Sequence, residues 1–365
     1  MTATTLGHAR GMRGAPVTSG RQRGQVLLLM LLVLITGAAY LLVQSLNAGS
    51  IATERDRITQ QALAQAKEAL IGRALVDNNR PGSLPCPDLD DDGSAEILSG
   101  NECPSYIGRL PWRTLRLPDL RDGSGERLWY SLSRNFRDDD SIVINSYSPG
   151  DLSIVGTSPQ SDVVAVVFAP GTPLQREDAS TIQTRGCIVG TDCDDAGICT
   201  ASPASSTPKC NSKNYLDVVN AVEDNADGDA IFVAAHPSAS FNDRLLAIGH
   251  DELFVAANKR IAGEIRGTAT PASGVQGYYE QQSPKHYPWA SNGTGYQIPG
   301  EKTGSVPYEE LPFDPTIKEV LKDNGWFDPS ITVYTVAPDR SSATITIQNP
   351  AVSVCLENGN VVQCP

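Results

Sequence analysis

The sequence contains none of the compact motifs that mark common chemistries. G-x-S-x-G, H-E-x-x-H, G-x-x-x-x-G-K-[ST] and G-x-G-x-x-G are all missing, which leaves a serine hydrolase, a zincin, a P-loop enzyme and a dinucleotide binder without their signatures. Histidine is scarce at 4 residues, and neither a C-x-x-C nor a paired-His spacing occurs; zinc is therefore a poor reading of the cysteines. Positive charge is in deficit, with a formal net charge of −13. An acidic surface of that kind argues against nucleic acid and suits solubility or divalent-cation binding. There is no internal repeat. His8 belongs to the N-terminal leader, His250 precedes Asp251-Glu252 at a predicted helix start, and His236 and His286 sit in Pro-containing loops. End-capping or surface roles are expected for them, so no catalytic residue is assigned and no enzymatic activity is expected.

What the chain does have is a basic leader followed by an uncharged apolar run. Residues 1–24 carry Arg10, Arg13, Arg21 and Arg23 and no acidic residue; Val26 to Leu46 carries no charge at all. At about 1.5 Å of rise per residue the run just matches a hydrocarbon core of about 30 Å. The positive-inside rule would keep the leader cytoplasmic. A cleaved secretory signal fits less well, because its apolar region is shorter and Gly37-Ala38-Ala39 and Asn47-Ala48-Gly49 are mediocre cleavage sites. The expectation is a single-pass protein of a bacterial inner membrane, with its C-terminal head periplasmic or on an extracellular filament.

From Ser50 to Asp77 the helix is expected to continue as an amphipathic one. Ile51, Ile58, Ala62, Ala66, Leu70 and Ala74 recur on one stripe, charged residues cover the other faces, and Asn78-Asn79-Arg80-Pro81-Gly82 stops it. Strands are predicted at 127–132, 141–146, 152–155, 162–168, 230–235, 331–336 and 343–348, with a short apolar segment at 245–248 and a C-terminal hairpin. Asp162–Phe168 is expected to be central. Helices are predicted at 251–265, with Leu253, Ala257, Ile261 and Ile265 on one stripe, and near 315–324. The fold class is α+β: a long N-terminal transmembrane and amphipathic helix packed on an antiparallel β-sheet, with a disulfide-held insertion. The divisions are a leader (1–24), the helix (25–79), a β head with an acidic loop (80–173), a Cys-rich insertion (174–229) and a C-terminal α+β part (230–365).

All eight cysteines follow the apolar run, which points to an oxidising compartment and structural disulfides. Cys86 and Cys103 bracket the acidic loop; Cys187, Cys193, Cys199 and Cys210 form a cluster of open connectivity; Cys355 and Cys364 close the C-terminus. A Gly359-Asn360 turn would set Cys355 opposite Cys364 at a non-hydrogen-bonded pair, about 4.5 Å apart between Cα atoms. An Asn358-Gly359 turn would set Val362 there instead, and the cysteines favour the first register.

Asp88-Leu89-Asp90-Asp91-Asp92-Gly93 has the D-x-D-x-D-G pattern in which alternate carboxylates converge on one hard cation. Asp88, Asp90, Asp92 and Glu96 are the candidate calcium ligands. The pattern departs from an EF-hand, whose twelfth position, here Ser99, would be a bidentate Glu. Asp224-Asn225-Ala226-Asp227-Gly228-Asp229 is a weaker acidic patch, and Asp192, Asp194 and Asp195 are weaker again; such sequences also serve turns for backbone reasons alone. The aromatics Tyr278, Tyr279, Tyr287 and Trp289 either line a binding surface or pack beneath a loop.

Arg23-Gly24-Gln25, the apolar run and its amphipathic continuation resemble the N-terminus of type IV pilin-like proteins, including the minor pseudopilins of type II secretion systems. Pro85-Cys86-Pro87-Asp88 and Gly108-Arg109-Leu110-Pro111-Trp112 look like loop motifs of large members of that family. Asp122-Gly123-Ser124-Gly125-Glu126-Arg127-Leu128-Trp129-Tyr130 is similar to its segment leading into the sheet. The match covers roughly the first 140 residues. The resemblance implies cleavage by prepilin peptidase after Gly24 and methylation of Gln25, with other pilin-like subunits, prepilin peptidase and the inner membrane as partners. Most pilins have Glu at the fifth mature position, where this chain has Leu29. In the family that carboxylate is thought to neutralise a neighbouring subunit's N-terminus inside the membrane, and its absence resembles the tip pseudopilin, which is large, carries an insertion and binds calcium. A minor, tip-located subunit of a type IV pilus or type II secretion pseudopilus is the reading. The alternative is a signal-anchored periplasmic enzyme or carbohydrate-binding protein using residues 230–310.

Overall fold

The structure, a computed structural model, describes residues 21–175, 182–183, 185–189, 191–193, 199–201, 208–219 and 224–365; for 21–26, 39, 41–49, 187–189, 191–193, 199–201 and 208–209 it describes the backbone alone. The chain divides into two units, Met1–Glu54 and Arg55–Pro365, and helix α1 (Arg21–Val76) contributes to both. In the first unit the helix carries Leu27 to Ile35, large apolar side chains that are each at least 55% exposed. The expected membrane span over Val26–Leu46 needs correction. Among the described residues no helix is long and apolar enough to cross a membrane. The single-pass inner-membrane placement, with a cytoplasmic N-terminus and a periplasmic or filament-borne head, does not stand.

In the second unit α1 buries Ala62, Leu63, Ala66, Leu70 and Ala74, while the first two residues of the predicted stripe, Ile51 in the first unit and Ile58 in the second, are exposed. Strands β1 (Ile107–Arg109), β2 (Trp129–Leu132), β3 (Leu152–Gly156) and β4 (Gln160–Ala169) follow. β4 is central, as its run of valines predicts. Along one edge it pairs antiparallel first with β3 and then with β2, and along the other with a later strand, because Val163 is opposite both Leu152 and Gly249. The predicted strand over Ser141–Ser146 is a series of turns instead. Its backbone groups find side chains and a loop: Ile144 N–H donates to Asn324 Oδ1 at 3.2 Å, and Tyr147 N–H to Asn145 Oδ1 at 3.0 Å.

The insertion contributes two short ladders. β5 (Cys187–Val189) pairs with β8 (Pro208–Cys210), setting Cys187 opposite Cys210; β6 (Thr191–Cys193) pairs with β7 (Cys199–Ala201), setting Cys193 opposite Cys199. Cys210 is disulfide-bonded. The sheet is then completed by β9 (Ile231–Ala234), parallel to β3, and β10 (Arg244–Gly249), antiparallel to β4. The result is a mixed six-stranded sheet.

Helix α2 (His250–Arg266) has Asp251 and Glu252 in its first turn and Arg266 in its last, matching its dipole, and buries the predicted stripe Leu253, Ala257, Ile261 and Ile265. α3 (Gly274–Gln281) was not anticipated. After β11 (Thr303–Gly304) comes α4 (Pro315–Asp323), started by Asp314, whose carboxylate accepts the N–H groups of Thr316 and Ile317, with Pro315 inside the first turn. Strands β12 (Thr332–Val336), β13 (Ser342–Ile347), β14 (Val352–Glu357) and β15 (Asn360–Val362) join β11 in a five-stranded antiparallel sheet. The fold is α+β, with one core gathering α1, α2 and both sheets and a second, smaller one on the other face of the first sheet.

The terminal hairpin corrects the expected register. Cys355 faces Val362, and Asn358-Gly359 is the turn. Both residues have positive φ, 49° and 82°, the geometry that Asn-Gly fills best in a two-residue hairpin. Cys355 and Cys364 are nonetheless bonded, with Cα atoms 5.3 Å apart, because Cys364 lies beyond the last strand pair.

Candidate cation-binding loop

The Cys86–Cys103 disulfide (Cα–Cα 5.5 Å) ties together the ends of the segment that holds the acidic loop. The loop is anchored at its start, where Asp88 exchanges both backbone hydrogen bonds with Arg109 of β1, at 2.9 and 2.7 Å. The Asp88 side chain then organises the turn that follows: Oδ1 accepts the Asp91 N–H at 2.8 Å and Oδ2 the Gly93 N–H at 2.7 Å. Asp91 and Gly93 both take positive φ, and Glu96 Oε1 accepts the Leu89 N–H at 3.2 Å. Carboxylate oxygens of Asp88, Asp90 and Glu96 consequently lie within 4.8 Å of one another, Asp88 buried and the other two partly so. Asp92 stands outside this group. It is exposed, and its Oδ1 accepts the Ser94 N–H at 2.6 Å.

Burial, and secondarily the neighbouring Asp90 charge, pushes the Asp88 carboxyl up to about 7, against the lowering effect of the Gly93 and Asp91 N–H groups. A nearby positive charge would reverse that shift. Three carboxylates offering oxygen alone are the donor set of a hard divalent cation, and carboxylate oxygens that each accept one N–H keep lone pairs for it.

Two arginines that the sequence did not single out brace the loop from below. Arg127 meets Asp91 Oδ2 at 2.9 Å and Arg109 meets Asp91 Oδ1 at 3.4 Å. The Arg109 guanidinium is buried, stacked over Tyr215 (4.0 Å) and Trp129 (4.9 Å). Cys210 N–H donates to Leu89 O at 3.1 Å, so the insertion also touches the loop. The one local signal is an arginine shortly before a tryptophan in each segment, Arg109 before Trp112 and Arg127 before Trp129.

The weaker acidic patch serves turns. Asp224, Asp227 and Asp229 each accept a backbone N–H two residues on, at 2.6, 3.1 and 2.7 Å, and burial pushes Asp224 up to about 6. Asp194 and Asp195 lie outside the described residues, as does the Asp192 side chain. Gly24 and Gln25 fall in the backbone of α1, their side chains outside the described residues, and residues 1–20 are outside them altogether. Of the histidines, His236 is exposed and His286 half-buried. His250 is buried, not on the surface: it starts α2, with Nε2 3.0 Å from Ser146 O and Nδ1 3.1 Å from Asp251. Tyr278, Tyr279 and Tyr287 are buried, and Trp289 is half-buried beneath Arg340; they pack rather than line an open surface. Comparison with family models, curated proteins and solved structures finds no match.

Proposed function

We propose that the chain is a pilin-like minor subunit of a filament of the type IV pilus or type II secretion pseudopilus kind. It occupies the tip, assembles through the first part of α1, and carries a calcium ion in the Asp88–Glu96 loop. The observation that carries the reading is the asymmetry of α1. Its second-unit part buries a stripe in the core, whereas Leu27 to Ile35 is apolar and exposed. Covering such a segment with neighbouring subunits' helices would be worth roughly 1.5–3 kcal/mol per large side chain. The Asp122–Arg127 segment supports the same reading. Thr59 Oγ1 on α1 accepts the Gly123 N–H at 2.9 Å, and a Cβ at Gly123 would fall 2.2 Å from Arg55 O, so this position needs glycine for the loop to seat on the helix.

Co-expression with prepilin peptidase tests it. The expected product begins at Gln25 with a methylated amine, read by intact mass and N-terminal sequencing. A chain that keeps its own N-terminus in the presence of active peptidase refutes the reading.

A further inference from the structure

A cleft of about 640 Å³ lies between the last turns of α1 and the 114–116 turn, within the roughly 300–1,000 Å³ range of ligand sites. Its 114–116 wall adjoins the acidic loop, Thr114 Oγ1 accepting the Ala95 N–H at 2.8 Å, but the cleft shares none of the carboxylates grouped there. The chain's own negative groups there are consumed. Asp77 Oδ2 meets Arg73 at 2.7 Å, and its Oδ1 accepts the N–H groups of Asn79 and Arg80 at 2.9 and 2.7 Å. Arg73 also holds Asp138 at 3.0 Å. The helix-end carbonyls of Leu75 and Asp77 both accept from Arg260, which offsets the negative end of the dipole.

The positive group facing the same space is uncommitted. Arg116 is exposed, and among the described residues its guanidinium meets neither a carboxylate nor a hydrogen-bond acceptor. Its backbone position is also one that a fold would not choose for arginine. The 111–117 turn closes with Leu117 N–H on Trp112 O at 2.8 Å and Arg116 N–H on Arg113 O at 2.9 Å. That pairing is a Schellman end, and Arg116 holds its left-handed residue at φ 57°, where glycine is strongly favoured. The reverse substitution stands on the opposite wall. Gly72 interrupts α1, yet a Cβ there would meet nothing within 4 Å, so the helix gives up stability that alanine would supply and leaves open space. Val76, one turn on, is 68% exposed.

We infer that this cleft docks an acidic peptide segment of a partner chain, the Arg116 guanidinium gripping a carboxylate while the strip of Ala69, Gly72 and Val76 receives an adjacent apolar side chain. The planar fork of arginine pairs with a carboxylate through two parallel hydrogen bonds, and Arg116 supplies the charge complementarity. The inference does not depend on the pilin reading.

Fluorescence anisotropy on the full chain tests it, using a labelled octapeptide of alternating leucine and aspartate and its leucine–asparagine counterpart. The aspartate peptide should bind roughly tenfold or more tightly than the asparagine one, a gap of about one decade in Kd. Arg116→Gly should erase that preference while leaving the melting temperature equal or higher, since glycine suits the backbone. Gly72→Leu should weaken the aspartate peptide by filling the strip. Equal affinity for the two peptides, no binding by the native chain at millimolar peptide, or a preference retained in Arg116→Gly overturns the inference. So does a lower melting temperature in Arg116→Gly, which would make the guanidinium structural. Inorganic phosphate competing as well as the peptide would reduce the cleft to a bare anion site and overturn the peptide assignment.

Discussion

Asp217 and Asp243 bind each other's backbone where the insertion meets the first sheet. Asp243 Oδ2 accepts the Asp217 N–H at 2.8 Å and Asn225 Nδ2 at 3.1 Å. Asp217 Oδ2 accepts the N–H groups of Asn242 and Asp243 at 2.6 and 3.0 Å, and its Oδ1 takes Gln183 Nε2 at 2.9 Å. Asp243 Oδ1 is buried with no hydrogen-bond partner among the described residues. Burial, then the Asp217 charge, holds the Asp243 carboxyl well above the usual range, and the lowering effect of Arg185 does not offset it. Burial raises Asp217 as well. The folded chain therefore binds protons that the unfolded chain has released. The stabilisation is full below the ordinary aspartate value near ~4 and is lost as pH rises through the raised native values. Asp243→Asn, which keeps the shape without an ionisable group, should lie within about 1 kcal/mol of the native chain at low pH and decline less as pH rises. Urea unfolding across pH 4 to 9 reads this directly, and parallel curves for the two proteins would refute it. Nothing in the sequence flags this pair, because the two aspartates are far apart in the chain and only the docked insertion brings them together.

At the scale of elements, legibility followed local redundancy. β4 and α2 were readable because periodicity, composition and flanking turns agree along Asp162–Phe168 and Asp251–Ile265. Ser141–Ser146 has the apolar run of a strand, but Ile144 N–H donates to Asn324 Oδ1 and Asn145 Nδ2 to Asn324 O, a long-range arrangement that no local pattern encodes. α3 escaped notice because Gly274 and Gly277 dilute a short helix. In the terminal hairpin the disulfide was legible and the register was not, since the turn preference of Asn358-Gly359 outweighed the symmetry suggested by the cysteines. The acidic loop follows the same pattern: the sequence offers Asp88, Asp90, Asp92 and Glu96, and the fold brings Asp88, Asp90 and Glu96 together while Asp92 stays outside the group. A calcium test separates these ligand sets. Calcium at a hundredfold excess over Kd should raise the melting temperature by about 5 °C. Asp90→Ala with Glu96→Ala should abolish the rise, and Asp92→Ala alone should preserve it. Loss of the rise in Asp92→Ala would return Asp92 to the ligand set beside Asp88, Asp90 and Glu96, and no rise in the native chain would return the loop to a solvated turn.

For the whole molecule, the two units differ in what holds them. Every residue of both core clusters lies in Arg55–Pro365, so that unit has the buried surface to fold without the residues before it. Leu27 to Ile35 belongs to the other unit and stays exposed. Burying those nine side chains between helices would contribute roughly 13–27 kcal/mol against an association cost of roughly 4–15 kcal/mol, a balance that favours self-association. A chain beginning at Arg55 should therefore keep the urea midpoint of the full chain and sediment as a monomer, while the full chain forms larger species. Leu28→Ser, Leu32→Ser and Ile35→Ser together lie on one helical face by their spacings of four and three, and they should return the full chain to the monomer without moving its urea midpoint. If the truncated chain self-associates as strongly as the full one, the interface lies in the second unit and the assembling role of α1 fails. If the truncated chain does not fold, the core needs residues before Arg55, and the division between a folded head and an assembling helix fails with it.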